Sequence, residues 1–194
     1  MSTFEFALRI VGILFFLSDS FSKSRYLKIM QLLYSIAIHA YRLLIWFAAF
    51  FTEKAKLWIA GRKGIFERLE EAIDRNDRLF WIHCASLGEF EQGRPVIERL
   101  KAEDKDLKIL LTFFSPSGYE IRKNYEHADY VFYLPADTRR NARRFLDIVQ
   151  PDFVIFVKYE FWYHYLHELK KRQIPSYLIS AIFYPKQPFF SAIY

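Results

Sequence analysis

Hydrophobic and polar positions divide the chain into two regions with different periodicities. Residues 30–51 (MQLLYSIAIHAYRLLIWFAAFF) are apolar except for Gln31, Ser35, His39 and Arg42. Spacings of four, four and three residues place these positions in one narrow stripe on a helix. A helix of this length is sufficient to cross the hydrocarbon core of a bilayer. The pattern therefore predicts a membrane-anchor helix over residues 30–51.

Three settings for this helix are compatible with its pattern to different degrees. Arg42 near the middle of a bilayer would cost about 3 kcal/mol, which favours a monotopic helix lying in the interface. A spanning helix whose stripe packs against protein remains open, whereas the wide apolar arc disfavours the buried helix of a soluble core. Upstream, residues 1–29 form an N-terminal extension whose apolar segment 4–17 is too short to span.

The second region alternates short apolar runs with charged helical segments, five times from Arg78 onward. Nearly continuous apolar strands are typical of a parallel sheet covered on both faces, so we predict an α/β, Rossmann-like domain over residues 78–194. Residues 52–77 read as a basic connector followed by an amphipathic helix over 65–73. The predicted strands are 79–84, 108–114, 130–134, 153–159 and 176–181, and the predicted helices are 89–102, 116–125, 138–149 and 161–172.

Composition and charge narrow the function classes. Aromatic residues make up 20% of the chain, which excludes full disorder, and the single cysteine, Cys84, excludes a disulfide framework and a Cys-based zinc site. We expect no metal site. The net charge of +6 favours anionic partners. Nucleic acid is poorly supported, because the aromatic residues lie in strands and anchor rather than among charges. Neither GxGxxG nor GxxxxGK[ST] occurs, which disfavours dinucleotide and P-loop binding.

Ligands of a parallel sheet bind beyond the carboxyl ends of its strands, so the loops there hold the candidate chemistry. After the first strand, Gly88 would permit a tight turn and Glu89 starts the next helix. A carboxylate there lies in the positive end of the helix dipole, so Glu89 could accept a proton from a hydroxyl. The alternative is that Glu89 only caps its helix.

The other strand-end loops leave similar alternatives open. Glu160 could hold a sugar hydroxyl or pair with Lys158 or Arg94, and His83 alone is more often structural than catalytic. Ser115 and Pro116 are predicted to start a helix as its cap and first residue. The helix over 138–149 has four arginines on one side, which favours a solvated face over a lipid-phosphate site. These arginines are Arg139, Arg140, Arg143 and Arg144.

Four ordered motifs carry a resemblance to a known family. Residues 81–89 (WIHCASLGE), 115–118 (SPSG), 133–137 (YLPAD) and 160–162 (EFW) resemble the lipid A Kdo transferases, that is, the 3-deoxy-D-manno-octulosonic acid transferases. An N-terminal membrane anchor and a basic connector also belong to that family. One departure is that many members continue the last motif with proline and asparagine, where this chain has Tyr163 and His164.

The resemblance implies an inverting GT-B glycosyltransferase at the cytoplasmic face of the inner membrane. Such an enzyme moves Kdo from CMP-Kdo to a phosphorylated lipid A precursor, with lipid IVA as the type of acceptor. It uses no cofactor besides its donor substrate, CMP-Kdo. Its general base is the glutamate of the motif serine-x-glycine-glutamate, which is Glu89 in this chain. The implied acceptor-binding residues are His83, Ser86, Gly88, Ser115, Ser117, Gly118 and Glu160.

The same resemblance implies that the family continues beyond Tyr194 into a domain that binds CMP-Kdo. We therefore expect residues 1–194 to be a fragment that is inactive alone. Two other functions remain open: another membrane-associated GT-B transferase with a different nucleotide-sugar donor, and a non-catalytic, membrane-tethered Rossmann-like binding module. A binding module would account for the anchor helix, the positive charge and the sheet. It would give no function to the loop after the first strand, which contains Glu89.

Overall fold

The computed structural model describes residues 23–158 and 160–181, which fall into two compact units that divide between Leu44 and Ile45. The first helix, α1, runs from Lys23 to Ala48. It thus starts earlier and ends earlier than the predicted anchor over 30–51. Residues 49–51 form a turn in which Phe50 N donates to Phe47 O at 3.1 Å. The predicted apolar segment 4–17 and residues 182–194 lie outside the described residues.

Within α1, residues Ile29–Ala48 form the one stretch of the described chain that is long and apolar enough to cross a membrane. Its large apolar side chains are exposed over most of the stretch. In the polar stripe, the Ser35 hydroxyl donates to the Gln31 carbonyl at 2.7 Å, which satisfies it within the helix. The exposed apolar residues are Ile29, Leu32, Leu33, Ile36, Leu43, Leu44, Trp46 and Phe47.

The second unit is an α/β domain with a five-stranded parallel sheet in the order β3-β2-β1-β4-β5. This confirms the predicted α/β fold with an apolar N-terminal helix. The strands are β1 Leu79–Cys84, β2 Lys108–Phe113, β3 Tyr130–Tyr133, β4 Phe153–Val157 and β5 Ser176–Ile179. The helices are α2 Glu53–Ala60, α3 Ile65–Ala72, α4 Leu87–Glu103, α5 Pro116–Arg122, α6 Arg139–Val149 and α7 Tyr163–Lys171.

Alternation along β1 assigns its side chains to two buried layers. Trp81 contacts the rings of Phe145 on α6 and Tyr165 on α7, with centroids 4.8 and 5.6 Å away. Ile82 and Cys84 lie in the opposite layer, in the apolar cluster that includes Phe90 of α4. Both faces of the central strand are therefore covered, which explains why β1 reads as a nearly continuous apolar run.

Three helix ends differ from the predicted ones by two or three residues. Helix α4 begins at Leu87, two residues before the predicted start, because Ser86 is its N-cap. Helix α5 ends at Arg122 rather than at 125. Helix α7 begins at Tyr163 after an N-cap, Trp162, that contributes no cap of its own.

Arg62, in the connector over residues 52–77, links this segment to the sheet through hydrogen bonds. Its guanidinium donates to the carbonyls of Trp58, Phe114 and Leu134 at 3.1, 2.8 and 2.9 Å. It also lies 3.8 Å from the Trp58 ring centroid and 4.9 Å from those of Phe114 and Tyr133. Phe114 and Leu134 directly follow β2 and β3, so α2 is fixed at the carboxyl edge of the sheet, where the candidate site lies.

Candidate functional site

The strand order places a topological switch point between β1 and β4. From β1 the chain proceeds to β2 and β3 on one side, while β4 and β5 extend the sheet on the other. Ligands of open parallel sheets bind in the crevice that forms at such a point, beyond the carboxyl ends of the strands. Glu89 follows β1 and Glu160 follows β4. The two candidate carboxylates therefore come from the two strands that flank the switch point.

Glu89 caps the helix that it starts. Its Oε2 accepts the Ser86 backbone N–H at 2.7 Å and the Ser86 hydroxyl at 2.9 Å, as in a capping box. The side chain is only half-buried, and within residues 23–158 and 160–181 no arginine forms an ion pair with it. Among the described residues, no hydrogen bond engages its other oxygen, Oε1. The cap thus occupies one oxygen and leaves the second available for other chemistry.

The loops after β1 and β2 are joined at the same edge. The Ser115 N–H donates to the carbonyl of Ala85 at 2.7 Å. Ser115 caps α5 by accepting from the Ser117 N–H at 3.4 Å, and the two hydroxyls lie 3.0 Å apart. Ser117 is exposed, whereas Ser86 and Ser115 are half-buried. The structure therefore groups the three predicted serines along adjoining loops.

The two candidate glycines have different structural roles. Gly88 is exposed in the first turn of α4, and a Cβ there would meet nothing within 4 Å. It has no positive φ, so the expectation that Gly88 permits a tight turn was wrong. Gly118 is buried, and a Cβ there would lie 2.3 Å from the ring of Phe113. Gly118 is thus required for close packing of α5 on β2, which accounts for its small size without a ligand.

His83 and Glu160 form a buried pair. His83 is 0% exposed and Glu160 6% exposed, and the distance from His83 Nε2 to Glu160 Oε2 is 3.7 Å. The alternative partners of Glu160 considered above do not engage it, because Arg94 pairs with Glu91 and Glu98. No ion pair joins Lys158 to Glu160 among the described side chains. A direct contact between His83 and a ligand is blocked by this burial, so any influence on a ligand passes through its neighbours.

The pKa of the Cys84 thiol is affected by both candidate carboxylates, Glu89 and Glu160. Burial raises the pKa of its thiol well above the ordinary value, and the negative charges of Glu89 and Glu160 raise it further. Both carboxylates therefore lie close enough to Cys84, the last residue of β1, to influence its thiol.

Two buried polar residues were missed by the sequence analysis. Thr112 is the polar member of an otherwise apolar run in β2 and lies opposite His83 in the strand register. Asp137, within the third motif, accepts the N–H groups of His164 and Tyr165 at 3.1 Å each. Asp137 therefore caps α7 from a separate loop. A polar residue within a buried strand was the available signal for Thr112, whereas the partners of Asp137 lie too far along the chain to be inferred.

The basic face of α6 is partly neutralised by neighbouring carboxylates. Arg144 pairs with Glu67 and Glu70 of α3 at 3.2 and 3.4 Å, and Arg143 lies 4.0 Å from Asp147. These side chains are solvent-exposed, consistent with the solvated face favoured above. No cluster of three or more His, Cys, Asp or Glu side chains suited to a metal occurs within residues 23–158 and 160–181.

Comparison with known proteins agrees with the motifs. The family model for 3-deoxy-D-manno-octulosonic-acid transferase (kdotransferase) matches residues 62–189. The 3-deoxy-D-manno-octulosonic acid transferase of Haemophilus influenzae is 32% identical over 102 residues, covering 52% of this chain and 24% of that protein. The Aquifex aeolicus transferase is 32% identical over 113 residues, covering 58% of this chain and 30% of that protein. The chain thus matches less than a third of the length of these relatives.

Proposed function

Because this chain belongs to the 3-deoxy-D-manno-octulosonic-acid transferase family, we propose that it is the acceptor-binding part of a Kdo transferase. The enzyme transfers Kdo from CMP-Kdo to a lipid A precursor of the lipid IVA type, in lipopolysaccharide biosynthesis. The motifs at the strand ends support this assignment, and so do the names of relatives in Haemophilus influenzae and Aquifex aeolicus. The architecture proposed for the whole enzyme is GT-B, with inversion at the anomeric carbon.

In the proposed reaction, an acceptor sugar hydroxyl attacks the anomeric carbon of Kdo. The new C–O bond forms as the bond to the CMP phosphate breaks, and CMP leaves with the electron pair. Glu89 takes the hydroxyl proton on Oε1, the oxygen that its capping box leaves free. Glu160 holds the acceptor at the other side of the crevice. The N-caps Ser86 and Ser115 and the first-turn residues Gly88, Ser117 and Gly118 form the adjoining helix starts.

The observation that carries this proposal is the position of two carboxylates at the switch point. Glu89 and Glu160 follow β1 and β4, and their charges both raise the pKa of the Cys84 thiol. A non-catalytic binding module leaves the placement of both carboxylates at this edge of the sheet unexplained.

The membrane setting is proposed from α1. Its exposed apolar residues would place the protein on the inner membrane, with the sheet on the cytoplasmic face, where a glycolipid acceptor is accessible. We propose that CMP-Kdo is bound mainly by a further domain that follows this chain. Residues 1–194 alone are then expected to transfer no Kdo, and measurable transfer by them would contradict this arrangement.

The test is Glu89→Gln in the full-length transferase, assayed with CMP-Kdo and a tetraacylated lipid A precursor. Glutamine can still accept at the capping position but cannot take up the proton, so folding should persist. Transfer should fall by roughly 10²- to 10⁴-fold, as expected for loss of a general base. The matched control is Glu91→Gln, two residues along the same helix, where the exposed carboxylate forms ion pairs with Arg94 and Arg122. Wild-type transfer rates in Glu89→Gln would contradict the proposed role.

A further inference from the structure

Three buried polar side chains, Trp81, Thr112 and His83, form a row of contacts within one apolar layer of the sheet. The Trp81 indole N–H donates to Thr112 Oγ1 at 2.7 Å, and Thr112 Oγ1 lies 2.9 Å from His83 Nδ1. All three side chains are 0% exposed. Rings of Trp81, Phe156 and Trp162 surround the imidazole, with centroids 5.8 to 6.5 Å away. Buried polar side chains that hydrogen-bond to each other hold each other in one orientation.

The donors and acceptors of these three side chains favour one tautomer of His83. An indole nitrogen only donates, so Thr112 Oγ1 accepts from Trp81. Thr112 Oγ1 keeps one proton to donate, and we assign it to His83 Nδ1, 2.9 Å away, because this tautomer directs the ring N–H toward a carboxylate. A ring that accepts at Nδ1 carries its proton on Nε2. The N–H of His83 therefore points away from Thr112, toward Glu160.

On the side of His83 away from Thr112, two buried atoms face each other without a hydrogen bond. His83 Nε2 and Glu160 Oε2 are 3.7 Å apart, and neither has a hydrogen-bond partner among the described residues. A donor and an acceptor left unpaired in a buried site are costly, so this pair requires an explanation. A small movement of the carboxylate would bring the two atoms within hydrogen-bond distance.

We propose that His83 is a positioning residue that acts through Glu160. Trp81 and Thr112 hold the imidazole so that its Nε2–H faces Glu160 Oε2 and holds the carboxylate at the crevice. His83 itself touches no substrate, because it is fully buried. The consequence for catalysis rests on the proposed function, whereas the orientation of the pair does not.

The activity test compares His83→Gln with His83→Asn in the full-length transferase. A glutamine amide can place its nitrogen near the position of Nε2, and an asparagine amide near that of Nδ1. We expect His83→Gln to keep most of the transfer rate. His83→Asn should lose on the order of 10- to 100-fold in kcat/KM, because a carboxylate displaced by about 1 Å is poorly aligned. Adding Glu160→Gln to His83→Asn should cause little further loss.

A purely structural histidine gives a different result. The transfer rates of His83→Gln and His83→Asn would then both fall, and the less stable variant would lose more. Adding Glu160→Gln to either variant would reduce the transfer rate as much as it does in the wild-type enzyme. That outcome would overturn the proposal. A second matched pair of variants tests the contact between Thr112 and His83. Thr112→Ser keeps the hydroxyl and should retain transfer. Thr112→Val lacks the hydroxyl and should behave like His83→Asn.

A readout without activity separates this inference from the proposed function. The unfolding free energies of His83→Asn, Glu160→Gln and the double variant form a double-mutant cycle on the same protein. Coupling between the two substitutions supports the pair even if the wild-type enzyme transfers no Kdo, a result that would refute the proposed function alone. Additive effects would overturn the inference even in an enzyme that is active.

Discussion

Cys84 is the one cysteine of the chain and gives a direct readout of the site. Burial, followed by the charges of Glu89 and Glu160, raises its thiol pKa and suppresses the reactive thiolate. We therefore predict that the folded protein resists iodoacetamide at neutral pH and is alkylated once denaturant is added. Mass spectrometry before and after unfolding checks this. Rapid alkylation of the folded protein would show instead that the loop after β1 opens.

At the same scale, the sequence predicted both possible roles of Glu89. A serine followed three residues later by a glutamate indicates a capping box, and the structure contains that box. What the sequence could not predict is how the two carboxylate oxygens are divided. That division depends on the half-buried position of the side chain at the sheet edge, which is a property of the folded chain.

At the scale of secondary structure, the cap on α7 is supplied from outside the helix. Asp137 is fully buried and accepts two N–H groups of the first turn. Asp137→Ala should lower the free energy of unfolding by about 1–3 kcal/mol, because it leaves buried donors unpaired. Asp137→Asn keeps one acceptor and should cost less. Denaturant unfolding followed by circular dichroism measures both.

A neighbouring residue provides the control for this prediction. Thr138 caps its own helix, α6, by accepting the Asn141 N–H at 3.2 Å from a less buried position. Thr138→Ala should therefore cost about 1 kcal/mol, the usual value for an N-cap. An Asp137→Ala protein that is no less stable than Thr138→Ala would show that the shared cap contributes little.

Local patterns were sufficient to predict all five strands, because apolar runs of β-branched and aromatic residues are bounded by charged helices. Strand ends were predicted less well: β4 ends at Val157, two residues before the predicted end at 159. The chain there turns through Lys158, whose φ of 66° is incompatible with a continuing strand. The contact of His83 with Thr112 depends on the register of two strands separated by a whole helix, which no local pattern encodes.

For the molecule as a whole, membrane binding should depend on one face of α1. Leu43 and Leu44 are 56% and 60% exposed, and burial of a leucine in lipid contributes about 1.5–3 kcal/mol. Replacing both with glutamine should reduce binding to lipid vesicles by roughly tenfold or more, measured by flotation. The matched control is His39→Gln in the polar stripe, which should leave binding unchanged. Equal losses in both proteins would contradict an anchor with a distinct apolar face.

Arg62 has a practical consequence for anyone who wishes to prepare the sheet without helix α1. The family match begins at this arginine, which makes it a tempting place to shorten the protein. Cleavage there would remove the carbonyl and the ring of Trp58 and would uncover the side chains beneath the guanidinium. A protein that begins at Thr52 keeps α2 and its buried Ala55 and Trp58, and is the version to crystallise.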